Sequence, residues 1–370
     1  MEFKIDNKLF KTGSYNLDSV IGIKSYLGEY FLKIIEVNTW DSYIESNFKK
    51  NDCLVIDRNV FTLYTEKLYY IDQKQIIVLS AAEETKTMDS VMQVLDFFNK
   101  KSISKTDTIF VIGGGIIQDI ASLACNIYKR GVSWTFFPTT LLAMSDSCIG
   151  SKSSINFNNK KNQLGFFYPP SSVVIDIDFL QTLSHEDILS GNGEILKLSI
   201  IGGVESIEKY NRCVKRGEIV DFKRYNELIL NSLLIKKAVI EIDEFDKNYR
   251  LALNYGHTIG HIIESLSGFT IPHGQSISYG MSLVNNLNSI KDEMVESLIQ
   301  DLIEKLDTGK IDSDISRLAS MLHADKKVKN GNLQFILMNK PGETIFSSKA
   351  LNESFVADIG KLLRKIGVMS

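Results

Sequence analysis

Three of the chain's five histidines, His257, His261 and His273, crowd into the stretch RLALNYGHTIGHIIESLSGFTIPHG from Arg250 to Gly274. His257 and His261 are four apart and share one helix face, with Cβ atoms roughly 5–6 Å from each other. Neutral imidazole is the commonest metal ligand, and a zinc site that does chemistry keeps about three protein ligands and one open position. Glu194, in the glycine-flanked GNGEILK, can supply a carboxylate to such a set, and Lys197, three residues on, points the same way. HExxH is absent because Thr258 follows His257, which argues against a zincin protease. His185 reads as an ordinary polar residue, and His323 receives no role.

A second chemistry-bearing segment is Thr108–Ala121, TIFVIGGGIIQDIA, an apolar strand, three glycines and a helix start. Such a turn brings backbone close to a ligand, and the free N–H groups of the following helix attract an anion such as a pyrophosphate. Gly113, Gly115 and Gln118 give two of the three glycines of G-x-G-x-x-G, so a tight turn with no ligand is an equal reading of this piece alone. Asp57, Glu83 and Lys86 follow two other strand candidates, at carboxyl ends where open α/β sheets bind ligands. The segment Pro138–Phe167 reads as a long loop carrying Thr139, Thr140, Asp146, Lys152, Lys161 and Asn162, residues suited to phosphate or merely to solvent.

The elements that must position these groups change character near mid-chain. Strands are expected at Cys53–Ile56, Gln75–Ser80, Thr108–Ile112, Val132–Phe137 and Val173–Ile177, with a helix over Met88–Asn99, which implies a parallel sheet with right-handed crossovers. From Asp187 onward amphipathic spacing predicts helices at Ile188–Ile201, Ile207–Arg216, Tyr225–Ile242, Thr258–Ser267, Ser276–Ile290, Met294–Leu306 and Ile315–Leu322. A hairpin over Leu333–Met338 and Thr344–Phe346 then precedes a last helix, Phe355–Ile366. Lys plus Arg number 42 against 45 for Asp plus Glu, so the net charge of −3 argues against nucleic acid as the main partner. No apolar run nears a membrane span, and four scattered cysteines fit a reducing cytoplasm.

Taken in order, GGGxxxD at Gly113–Asp119, PTTLLA at Pro138–Ala143, DSxxGxK at Asp146–Lys152, Lys161–Asn162, GHTxGHxxE at Gly256–Glu264, His273–Gly274 and the DKK at Asp325–Lys327 resemble the 3-dehydroquinate synthase family of sugar phosphate cyclases. The resemblance implies an α/β N-terminal NAD-binding domain over 1–184 and an all-α C-terminal domain over 185–370 for metal and substrate. It also implies a homodimer, with zinc or cobalt as the metal. Carried over, Glu194, His257 and His273 hold the metal. Lys152, Asn162, Asn254 and His261 surround a substrate phosphate with Arg130 of the partner subunit. Lys236, Arg250 and Lys327 hold a substrate carboxylate, and Lys197 adds to the same cationic pocket. Asp57, Glu83, Lys86, Gly114, Gly115, Asp119, Thr139, Thr140, Asp146, Lys161 and Thr182 line NAD.

The implied reaction converts 3-deoxy-arabino-heptulosonate 7-phosphate to 3-dehydroquinate and phosphate, in the shikimate pathway or a related branch. Oxidation by NAD, phosphate elimination, reduction and aldol closure follow one another. Gln118, Ser151, Ser153, Gln163 and Gln275 depart from the usual family pattern. The alternatives are a cyclase of the 2-deoxy-scyllo-inosose or valiolone type, a variant heptulosonate substrate, a metal-dependent polyol dehydrogenase, or a paralogue without turnover. Lys236 and Arg250 speak against a substrate that lacks a carboxylate, since two buried cations would then lose their counter-charge.

Overall fold

A computed structural model describes residues 1–158, 160–268, 270–287, 292–304, 315–324, 328–365 and 368–369. The chain forms two compact units, one of Ser14–Leu183 and one of Met1–Gly13 with Ser184–Ser370. The expected division of 1–184 from 185–370 therefore differs at Ser184 and in the first thirteen residues. These carry β1 (Glu2–Ile5) and β2 (Lys8–Lys11).

The unit Ser14–Leu183 runs β3 (Ile21–Ser25), β4 (Gly28–Ile34), α1 (Trp40–Asn47), β5 (Cys53–Asp57), α2 (Arg58–Tyr64), β6 (Ile76–Leu79), α3 (Met88–Lys100), β7 (Thr108–Gly113), α4 (Gly115–Ile127), β8 (Ser133–Pro138), β9 (Lys152–Phe157), β10 (Lys160–Phe167) and β11 (Ser172–Ile175). Seven strands form one sheet in the order β3-β4-β11-β8-β7-β5-β6, parallel throughout except for β3 on β4. All five strands expected from the sequence lie in it, with ends shifted by a residue or two. Their unbroken apolar runs follow from burial on both faces, complete along β5. The stretch expected as a loop is different: it holds a π-helical turn at Ala143–Ser147 and the antiparallel β9–β10 hairpin. Most of β10 is exposed on both of its faces, so its sequence carries no alternation to read.

The second unit continues with α5 (His185–Gly202), α6 (Val204–Cys213), β12 (Val214–Lys215), β13 (Glu218–Ile219), α7 (Tyr225–Ile240), α8 (His257–Leu266), α9 (His273–Leu287), α10 (Glu293–Ile303), α11 (Ile315–Ala324), β14 (Val328–Lys329), β15 (Asn332–Lys340), β16 (Glu343–Ala350) and α12 (Glu353–Lys365). The helix expected to reach Arg216 stops at Cys213. Arg216 and Gly217, both at positive φ, turn the chain into a two-residue hairpin instead. An all-α description omits a five-stranded sheet, β14-β15-β16-β1-β2. The β15–β16 hairpin was expected, but β1 joins it in parallel, with Lys4 opposite Glu343 and Ile5 opposite Thr344. Among the described residues no helix is long and apolar enough to cross a membrane.

Candidate metal centre and anion sites

Helix α5 carries Glu194 and Lys197, and every residue from Leu189 to Gly202 is buried. A helix apolar and small on all sides belongs in a protein interior. Ser184 caps it by accepting from the Asp187 N–H at 3.1 Å. Asn192 uses both ends of its amide, donating to the Gly217 carbonyl at 2.8 Å and accepting from the Tyr225 hydroxyl, which ties α5 to the β12–β13 turn and to α7.

Glycines let α5, α8 and α9 touch backbone to backbone. A Cβ on Gly274 would collide with the Ser190 carbonyl and one on Gly193 with the Gly274 carbonyl, so α9 lies directly on α5. Gly256, at φ +79°, starts α8, and a Cβ there would sit 2.6 Å from the Ile277 carbonyl oxygen on α9.

These contacts bring Glu194, His257 and His273 together. Glu194 Oε1 lies 3.5 Å from His257 Nε2 and 3.2 Å from His273 Nε2. That oxygen is buried and accepts no hydrogen bond among the described residues. The other carboxylate oxygen takes an ion pair from Lys197, and both side chains are almost wholly buried. The far nitrogens of the two rings are also occupied. His257 Nδ1 lies 3.2 Å from the Tyr255 carbonyl oxygen and His273 Nδ1 lies 3.3 Å from Glu264 Oε2.

With Nδ1–H donating outward on both rings, each Nε2 turns a lone pair toward the carboxylate oxygen. Three acceptors converging on one point need a positive charge between them, which is the donor set of a cation site. Without a cation a proton takes that place. Burial alone would lower the basicity of His273, but Glu194 and Glu264 outweigh it and push the imidazole up to about 9. Burial also opposes the charge of Glu194, yet Lys197 and His273 hold its carboxyl well below the ordinary value. His261 joins the cluster from an exposed position, and one ring nitrogen from each of the three histidines falls within 4.8 Å of the others.

In the Ser14–Leu183 unit, Glu83, Lys86, Asp119, Lys161 and Asn162 come together around β9 and β10. Lys86 Nζ reaches Asp119 Oδ2 at 3.1 Å and Asn162 Oδ1 at 2.7 Å. Lys161 Nζ is 3.9 Å from Glu83 Oε1. Asn156, missed from the sequence, organises the group by accepting from the Asn162 N–H at 2.9 Å and donating to Glu83 Oε1 at 2.8 Å. Gly114 is the N-cap of α4 and brings no capping side chain to the first-turn amides. A Cβ on Gly115 would meet only Ser147 Oγ, at 3.8 Å, so the helix start is open to an anion. Gln118 bonds reciprocally with Ser147, at 2.8 Å in each direction, and thereby fixes the π-helical turn that carries Asp146. Thr139 N–H bonds the Gly113 carbonyl at 3.0 Å and Thr140 Oγ1 accepts from Ala143 N–H at 3.3 Å.

Asp57 and Thr182, also expected at the site, have structural work. Asp57 caps α2, its Oδ1 accepting from the Asn59 N–H at 2.6 Å. Thr182 Oγ1 pairs with the Tyr64 hydroxyl at 3.1 Å. Arg130 is exposed at φ +63° after α4, and Lys152 is exposed at the start of β9. Lys236 on α7 and Arg250 in the turn Tyr249–Asn254 are buried, and the two elements pack together. Asp243 shapes the approach to Arg250 by accepting from the N–H groups of Lys247, Asn248 and Arg250 at 3.0, 2.7 and 3.0 Å. Asn254, half-buried, closes the same turn. Lys327 lies outside the described residues.

Residues 76–190 match the 3-dehydroquinate synthase N-terminal domain, and residues 191–328 match its C-terminal domain. The chain belongs to the 3-dehydroquinate synthase family. It is 34% identical over 298 residues to the 3-dehydroquinate synthase of Alkaliphilus metalliredigens, covering 78% of this chain and 84% of that one. Among solved structures, a 2-deoxy-scyllo-inosose synthase complexed with carbaglucose-6-phosphate, NAD+ and Co2+ superposes with a TM-score of 0.79 at 22% identity, over 94% of this chain and all of the other. The 2-epi-5-epi-valiolone synthase of Streptomyces hygroscopicus, with NAD+ and Zn2+ bound, gives 0.71 at 22% identity, over 92% and 98%. At that identity these two share the fold with this member of the family.

Proposed function

We propose that the chain is a 3-dehydroquinate synthase, releasing phosphate from 3-deoxy-arabino-heptulosonate 7-phosphate to give 3-dehydroquinate with no net oxidation. The observation that carries the reading is Glu194 Oε1, buried without a hydrogen-bond donor among the described residues and faced by two imidazole Nε2 atoms. The donor set fits a divalent ion, zinc or cobalt, held by Glu194, His257 and His273. The uncapped glycine start of α4 fits the pyrophosphate of NAD. When bound, the ion supplies Lewis acidity at a ring hydroxyl and NAD supplies a reversible hydride acceptor.

The chain's own residues do the rest. The Tyr255 carbonyl holds the imidazole of His257. Lys197 balances Glu194 so that the carboxylate stays ionised in a dry setting. Asp57, Glu83, Lys86, Gly114, Gly115, Asp119, Thr139, Thr140, Asp146, Lys161 and Thr182 are assigned to NAD. Lys152, Asn162, Asn254 and His261 take the substrate phosphate, joined by Arg130 of the partner subunit in a cytoplasmic homodimer. Lys236 and Arg250, cations at 6% and 5% exposure, suit a substrate carboxylate. Lys327 is assigned to the same anion.

A phosphate-release assay across three sugar phosphates tests the reading. Heptulosonate 7-phosphate with NAD and cobalt should release phosphate without accumulating NADH, and Arg250→Ala should lower kcat/KM roughly 100-fold, the worth of one charge-assisted bond. Release from glucose 6-phosphate or sedoheptulose 7-phosphate alone would point to an inosose or valiolone cyclase. Net NADH formation on simple polyols would point to a dehydrogenase.

A further inference from the structure

Helix α8 carries more of the centre than its two histidines. His257, His261 and Glu264 stand at i, i+4 and i+7, which places them on one face. From that face Glu264 Oε2 reaches across to His273 Nδ1 on α9 at 3.3 Å. Glu264 is only 16% exposed at its side chain and His273 29%, so water competes weakly for the bond. The two histidines are thus held differently. His257 hands its Nδ1–H to a backbone carbonyl at Tyr255, whereas His273, first residue of α9, is held by a carboxylate from a neighbouring helix.

We infer that Glu264 is a positioning residue of the metal centre, holding His273 in the tautomer and ring orientation that present Nε2 to the ion. The inference rests on the metal part of the function proposed above. Its physical basis is that an imidazole can offer a lone pair at Nε2 only if its proton sits on Nδ1, and an acceptor fixed beside Nδ1 selects that form and stops the ring from turning.

The test is Co2+ affinity of the full chain by chelator competition, together with the visible spectrum of the bound cobalt. Glu264→Gln keeps an acceptor at the same reach and should bind cobalt within about threefold of the parent, with an unchanged spectrum. Glu264→Asp falls short of Nδ1, and Glu264→Ala removes the acceptor. Both should bind 10–100-fold more weakly, the usual cost of losing an outer-shell partner, with an altered spectrum. If the alanine variant does not fold, the comparison of Gln with Asp decides. Equal affinity in all the proteins overturns the inference, as does a Gln variant as weak as the Asp one. Cobalt binding needs no substrate, so failure of phosphate release with the expected cobalt series would sink the dehydroquinate reading and leave this one standing.

Discussion

Lys197 and Glu194 form an ion pair in which both side chains are at 2% exposure or less. Removing one member of such a pair strands the other charge. Lys197→Met should therefore lower the unfolding free energy of chelator-treated protein by about 3 kcal/mol. Added zinc or cobalt should restore most of that loss, because the ion supplies the missing positive charge beside Glu194. Urea unfolding with and without metal measures it, and a loss of equal size in both conditions would contradict the site as drawn. At this scale the sequence was readable where spacing alone decides. The pair His257 and His261, and Glu194 beside Lys197, follow from helical repeat. Glu264 was equally within reach as i+7 from His257. The capping role of Asp57 was not, because a cap looks the same as a ligand-facing carboxylate until the helix start is placed.

Glycine contacts decide how the helices meet. Gly274→Ala drives a methyl group into the Ser190 carbonyl on α5, which is backbone and cannot yield. The cost should be about 3 kcal/mol, with cobalt affinity falling in parallel because Glu194 and His273 ride on the two helices that separate. Gly268→Ala is the control. It sits at φ +62° in open space, so only the left-handed conformation is penalised, at about 1 kcal/mol. Unfolding curves of the two variants settle the matter, and equal losses would refute the close approach. The glycines of GNGEILK and GHTIGH are legible as close-approach sites only once the partner helix is known. Helices and doubly buried strands were readable from periodicity, but the β9–β10 hairpin was not. Asn156, Lys86 and Asp119 tie it in place by hydrogen bonds, which no apolar spacing announces.

At the scale of the whole chain, Met1–Gly13 belong with Ser184–Ser370, joined through β16. Lys4 N–H bonds the Gly342 carbonyl at 2.8 Å, and Gly342 N–H bonds the Ile200 carbonyl on α5 at 2.9 Å. A chain truncated to begin at Ser14 should lose cobalt affinity and melt at lower temperature, although it keeps every proposed ligand. Retention of both would show that β1 and β2 are dispensable. No local pattern announces a strand pairing of this kind, since each half of the ladder is only a short apolar alternation and its partner lies at the other end of the sequence.

Thr344 accordingly bonds the Lys4 carbonyl across 340 positions of sequence. At the roughly 5–20 residues per second of synthesis, β1 waits on the order of half a minute for β16 to be made. The Ser14–Leu183 unit is complete long before then. The unit of Met1–Gly13 and Ser184–Ser370 can close only after β16 has been made, so Glu194, His257 and His273 settle after the other unit has had time to fold.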